Sequence, residues 1–95
     1  MKIIAFEKET PGKTAEDFRP HLKSEAQRVW ELQKAEIIRE IYFTAETNEA
    51  VIVLECDTVE EAMVHLGSLP LVKNGLITFN YFTLKPYTGF ERLFV

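Results

Sequence analysis

"EIIREIYFTAETNEAVIVLECD", residues 36–57, holds two apolar runs separated by "TNE" at 47–49. Both runs are rich in Ile, Val, Tyr and Phe, the residues that suit a pleated strand. A three-residue link between them leaves room only for an antiparallel hairpin, so strands are expected at 36–46 and 50–57. Neither strand alternates cleanly. "AVIVLEC" is apolar at successive positions. "IIREIYF" puts Ile37, Ile41 and Phe43 on one side and Ile38 and Tyr42 on the other. A sheet covered on one face alternates apolar and polar, and this hairpin asks for cover on both faces.

The neighbouring segments supply the other elements. Upstream, "KIIAFEKE" (2–9) is a strand and "TPGKT" (10–14) a turn. Thr14 with Asp17 three residues on marks a helix start. Pro20 lies too deep for that helix to run straight through, so the spacing predicts a first turn, a break, and a main helix from about Pro20 to about Ala35. Downstream, "TVEE" (58–61) is a second capping box opening a helix to about Leu66, with Gly67 as its C-terminal cap. "LPLVKNG" (69–75) is expected as a loop turning at Asn74-Gly75, before a last strand over about Leu76–Lys85 that Pro86 stops. The order strand, helix, strand, strand, helix, strand is an α+β, ferredoxin-like βαββαβ arrangement. It forms one domain over 1–95, a four-stranded antiparallel sheet with two helices on one face.

The last strand, "ITFNYFTL", is also two-sided, with Ile77, Phe79 and Tyr81 opposite Phe82 and Leu84. Two helices cover one face of such a sheet. A second copy of the chain, packed sheet to sheet at about 10 Å, is the economical cover for the other. The alternative is a monomer with exposed aliphatics, since folded surfaces are largely apolar anyway. In the dimer the tail "TGFERLFV" gains a role, with Phe90, Leu93 and Phe94 wrapping the partner. Seven phenylalanines in 95 residues fit a chain with surface to hide. Cys56 is the only cysteine, so no intramolecular disulfide assists, which fits a reducing cytoplasm. A net charge of −4 argues against nucleic acid and anionic membrane surfaces as partners. "MKIIAFEKE" is too short and too soon charged for a leader peptide, and no apolar run reaches membrane-spanning length.

Candidate chemistry centres on the first helix. Leu22, Ala26 and Val29 form its apolar stripe, and Glu25 lies between that stripe and Leu32. His21 is one turn before Glu25 and therefore its neighbour. A carboxylate edging into an apolar face has its pKa raised by desolvation and becomes a better proton acceptor near neutrality. Alternatively Glu25 reaches water at the stripe's border and pairs with a cation. Arg39, between Ile37 and Ile41, either forms an ordinary ion pair or holds a carboxylate through its forked donors. Tyr42, Tyr81 and Asn80 offer polar groups on strands of unassigned face. Trp30 falls on the helix's opposite shoulder as packing, His65 on a solvated face, and Cys56 in the core. Two histidines and one cysteine without a spaced cluster argue against a metal site. The four scattered glycines make no phosphate loop, and no cofactor is expected.

These residues resemble the muconolactone isomerase group of the dimeric α+β barrel superfamily. The likeness rests on a helix glutamate followed by "LQ" (Glu25, Leu32-Gln33), an arginine entering the second strand (Arg39), and Val59 leading to "SLPL" at 68–71. It runs ungapped from Glu25 to Leu71. The group has glycine at the place of Glu36 and tryptophans at the places of Ile38 and Tyr42. The resemblance implies sheets paired back to back in a homodimer or larger homo-oligomer, and cofactor-independent proton transfer on a small organic ligand, a carboxylate or lactone. It also implies Glu25 as the shuttle and Arg39 on the substrate's carboxylate. From the residues themselves, His21 could tune or share the Glu25 proton, and Tyr42 and Tyr81 could orient a ligand. A binding module without turnover and a purely structural dimer are the competing readings.

Overall fold

The computed structural model describes all 95 residues. Strand β1 (Lys2–Glu9) leads to a short helix α1 (Ala15–Phe18). A 3-10 turn (Arg19–His21) then runs on into helix α2 (Leu22–Lys34). The hairpin is β2 (Ile38–Phe43) and β3 (Ala50–Glu55). Helices α3 (Val59–Gly67) and α4 (Pro70–Lys73), strand β4 (Ile77–Leu84) and a terminal 3-10 helix (Gly89–Phe94) complete the chain. The sheet is antiparallel throughout, in the order β2-β3-β1-β4. This is the ferredoxin-like α+β arrangement expected from the element order, and α2, α3 and α4 pack on one face.

Local chemistry starts α1 and α3 as anticipated. The Thr14 N–H donates to the Asp17 carboxylate at 2.8 Å. Thr58 Oγ1 accepts from the Glu61 N–H at 3.1 Å, while the Glu61 carboxylate accepts from the Asp57 N–H at 2.8 Å. Pro20 sits at the start of the 3-10 turn, where its missing N–H costs nothing. The core beneath the helices is Ile3, Ala5, Leu32, Ile38, Ile52 and Leu54, closed by Ala62, Leu66 and Leu69.

Three local expectations are corrected. "LPLVKNG" is not a loop: Pro70 at the first helical position starts α4. Gly67 is the last residue of α3 rather than its left-handed cap, and the chain passes to Ser68 in right-handed geometry. The faces of β2 also differ from simple alternation, because a bulge between Ile38 and Glu40 inserts Arg39 as an extra residue. Ile38, Ile41 and Phe43 therefore pair with Leu54, Ile52 and Ala50 on the helix side, and Ile38 is buried.

Helices α2 and α4 end alike. After α2, the Glu36 N–H bonds the Gln33 carbonyl and the Ile37 N–H the Leu32 carbonyl. After α4, the Gly75 N–H bonds Val72 and the Leu76 N–H bonds Leu71. Both are Schellman caps, which need a left-handed residue. Gly75 has φ 71° and Glu36 has φ 62°. A glutamate thus occupies a conformation that suits glycine, and the Arg39 Nε donates to its carbonyl at 2.6 Å.

The far face of the sheet carries Ile4 and Phe6, Val51 and Val53, and Phe82 and Leu84. Phe6 and Phe82 meet edge to face at 5.8 Å. Nothing covers them, and Phe82 is 53% exposed. The tail projects from the body, with Phe90, Leu93 and Phe94 all exposed. The radius of gyration is accordingly 15.5 Å, against about 13 Å for a compact chain of this size. No helix is long and apolar enough to cross a membrane. The left-handed positions yield a paired prediction. Glu36→Gly stabilises by roughly 1 kcal/mol and Gly75→Ala destabilises by about the same, as read from chemical denaturation midpoints.

Candidate functional site

A cavity of about 560 Å³ opens between α2 and the helix face of the sheet. Thirteen of its eighteen lining residues are hydrophobic, among them Val29, Trp30, Ile41 and Phe79. Three carboxylates line it, Glu25 from α2 and Glu7 and Glu9 from β1, together with the amides of Gln33 and Asn48. No lysine, arginine or histidine does.

Glu25 enters the cavity from the first turn of α2 and is half-buried. Its Oε1 accepts from the Leu71 N–H at 2.9 Å. That N–H has no partner within α4, because it belongs to the first turn, and Pro70 before it has no N–H at all. The helix carboxylate and the "LPL" segment are thus one hydrogen-bonded unit. Burial pushes the Glu25 carboxyl above its ordinary value, opposed by the Leu71 hydrogen bond and by His21. Glu7 is the counterpart on the sheet. It is half-buried, its Oε1 accepts from the Ala50 N–H at 3.1 Å, and burial raises it as well, with Glu9, Glu49 and Glu25 adding to the rise.

The other candidate residues lie elsewhere. His21 occupies the position before α2, within electrostatic reach of Glu25 but outside the lining. Arg39 is exposed, bonded to the Glu36 carbonyl, and does not reach the cavity. It is the bulge that moves it, by making Arg39 the unpaired residue. Tyr42 touches the rim, but its hydroxyl donates to Glu40 at 2.8 Å. Tyr81 is on the helix face of β4 against Phe79, at 6.3 Å between rings, and outside the lining; burial raises its phenol. Asn80 is exposed on the far face, and Cys56 is buried as expected. Trp30, expected as packing, instead lines the cavity and is 58% exposed. No three His, Cys, Asp or Glu side chains are placed to hold a metal ion.

Glu7 and Glu9 were legible in principle. Along β1 the period of two sets Ile3, Ala5, Glu7 and Glu9 on one face. That face starts in the core and ends in acid.

The direction of these shifts sets the pH dependence. A carboxyl raised in the folded state binds protons that the unfolded chain has released. Its contribution to stability is therefore full below the ordinary value of 4.5 and is lost as pH rises through the folded value. Glu25→Gln keeps the oxygen that accepts from Leu71 and removes this loss. Its melting temperature relative to the parent is expected to be lowest near pH 4 and to climb toward neutrality, in thermal scans at about pH 4 to 8.

No family model matches the sequence, and no curated protein matches it significantly. Solved structures do. Muconolactone isomerase superposes with a TM-score of 0.75 at 17% identity, over 93% of this chain and 92% of that one. The 5-chloro-2-hydroxyhydroquinone dehydrochlorinase of Burkholderia phenoliruptrix AC1100, solved with 2,5-dihydroxybenzoquinone, superposes with a TM-score of 0.63 at 18% identity, over 94% and 98%. At such identities the likeness is one of architecture, which agrees with the resemblance seen in the residues. The chain has the α+β fold of muconolactone isomerase.

Proposed function

We propose that the protein is a homodimeric barrel that binds a small organic molecule between α2 and the sheet and moves a proton on it, without cofactor, as an isomerase of the muconolactone isomerase type. The observation that carries this reading is Glu25. It is a half-buried carboxylate in an apolar cavity, with one oxygen held by a backbone N–H and its proton affinity raised by desolvation. Desolvation of this kind strengthens a carboxylate as a general base, and such a group contributes on the order of 10²–10⁴-fold. His21 is close enough to bias its charge. A volume of about 560 Å³ lies within the range of small-ligand sites. The quinone bound to the dehydrochlorinase supports a ring-sized ligand in this fold.

The Leu71 hydrogen bond favours a second reading, in which Glu25 only ties α2 to α4 and the cavity binds without turnover. Glu25→Gln separates the two, because the amide oxygen still accepts from Leu71. With an uncharged unsaturated lactone as the trial substrate, the variant is expected to lose 10²–10⁴-fold in kcat while keeping the parent's circular dichroism. A variant as fast as the parent removes Glu25 from the chemistry.

The partner copy is inferred from the uncovered face. Ile4, Phe6, Val51, Val53, Phe82 and Leu84 form an apolar surface on an antiparallel sheet, and back-to-back pairing would bury it. The exposed tail then lies along the second subunit. Sedimentation at micromolar concentration is expected to show a species of twice 11.0 kDa or a multiple of that. Phe82→Asp is expected to shift it toward the monomer. A parent that sediments as a single 11.0 kDa chain defeats the dimer.

A further inference from the structure

The charge of the cavity is one-sided. Glu25 faces it from the helix layer and Glu7 from the sheet layer, Glu9 stands beside Glu7, and no cationic side chain of this chain lines it. Arg39, the one arginine that could have received a substrate carboxylate, is held outside by the β2 bulge and the Glu36 carbonyl. Each of the two inner carboxylates has one oxygen engaged by a backbone N–H, from Leu71 and from Ala50. The remaining oxygens have no donor within the chain, so a ligand that brings donors suits them. If it brought negative charge, it would meet like charge in a partly desolvated site, where repulsion is strong.

We propose that Glu7 is the second working carboxylate of this cavity, and that the pair selects neutral hydroxylated compounds of the enol or phenol class over carboxylates. This rests on Glu25 as the proton shuttle. The ligand hydroxyl donates to Glu7 on the sheet side, and a carbon of the same ligand faces Glu25 on the helix side. In the prototropic step Glu7 takes the hydroxyl proton as the O–H bond breaks. The C=C pair closes on the proton that Glu25 gives up, and C–O becomes C=O. One proton is lost to Glu7 and one gained from Glu25, so the pair's total is unchanged, and solvent at the open mouth resets each group. A cationic ligand suits the acids and the aromatic lining electrostatically. The discriminating comparison is therefore between neutral and anionic ligands.

Two probes of one shape test the selection: para-hydroxybenzyl alcohol and para-hydroxybenzoate. Binding is read at pH 7 from the backbone amide NMR signals of Leu71 and Ala50, which report on Glu25 and Glu7 separately. The neutral alcohol is expected to move both signals, with the benzoate at least about tenfold weaker. Glu7→Gln keeps an oxygen for the Ala50 N–H and removes the charge, so the benzoate should gain on the alcohol. If Glu7 acted only as structure, the substitution would leave that ratio unmoved. The proposal is overturned if the benzoate binds the parent as tightly as the alcohol, or if Glu7→Gln leaves the ratio where it was. If both probes leave both amides unmoved while Glu25→Gln still abolishes turnover of the uncharged lactone, the selection fails and the Glu25 reading stands. If turnover is absent as well, both fall.

Discussion

The structure depends on a mismatch between surface and cover. Four strands present apolar side chains on two faces, and α2, α3 and α4 lie on one of them. The buried residues cluster under those helices, while Phe6, Phe82 and Leu84 stand in the open on the other side. At roughly 25 cal/mol per Å² of apolar surface removed from water, a chain of this size gains little by leaving a whole sheet face wet. The tail sharpens the point. Tyr87 meets Phe90 edge to face at 5.0 Å, and a Cβ at Gly89 would overlap the Tyr87 ring, so the segment has internal order without a body to rest on. An ordered apolar arm and an open apolar sheet are complementary requirements, and the proposed second subunit would meet both.

On the covered face, α2 and α4 are tied together at one wall of the cavity. The tie is the Glu25–Leu71 hydrogen bond, supported by the Arg28 Nε bond to Ser68 at 2.8 Å. Both helices end in the same cap, so the chain leaves each toward the sheet, to β2 after Ile37 and to β4 after Leu76. The "LPL" segment thereby does three things at once. Pro70 opens α4, Leu71 seats Glu25, and Leu69 joins the core.

The architecture was legible in the sequence because its signals are local. Two capping boxes, a three-residue hairpin link and the Pro20 break each act within a few residues. Asn74-Gly75 was visible as a turn, although the four-residue α4 before it was hidden by the usual reading of proline as loop. The site was legible only in part. Glu25 could be placed from helical spacing, which survives intact over one turn. Arg39 could not be placed, because a single bulge reverses the face of every later residue in the strand, and no residue in "IIREIYF" announces a bulge. Tyr42 and Tyr81 depended on the same uncertain faces. Glu7 was within reach of simple alternation along β1 but looked like the solvated end of a strand. What makes it a cavity residue is the position of α2 across from it, which is a tertiary fact.

The two carboxylates show which way selection has leaned. Glu7 and Glu25 are half-buried in apolar surroundings that a Leu or Gln would suit better, and desolvation raises both. Near neutral pH each therefore subtracts from stability in a small, marginally stable domain. Surface acids such as Glu31 and Glu55 do the opposite, since their partners hold them below the ordinary carboxylate range. Charges are thus placed favourably at the surface and unfavourably around one cavity, which supports the proposal that the cavity uses them. A purely architectural role explains one oxygen of each, the one bonded to Leu71 or Ala50. The other two oxygens have no bond within the chain, and they are what the proposed ligand would engage.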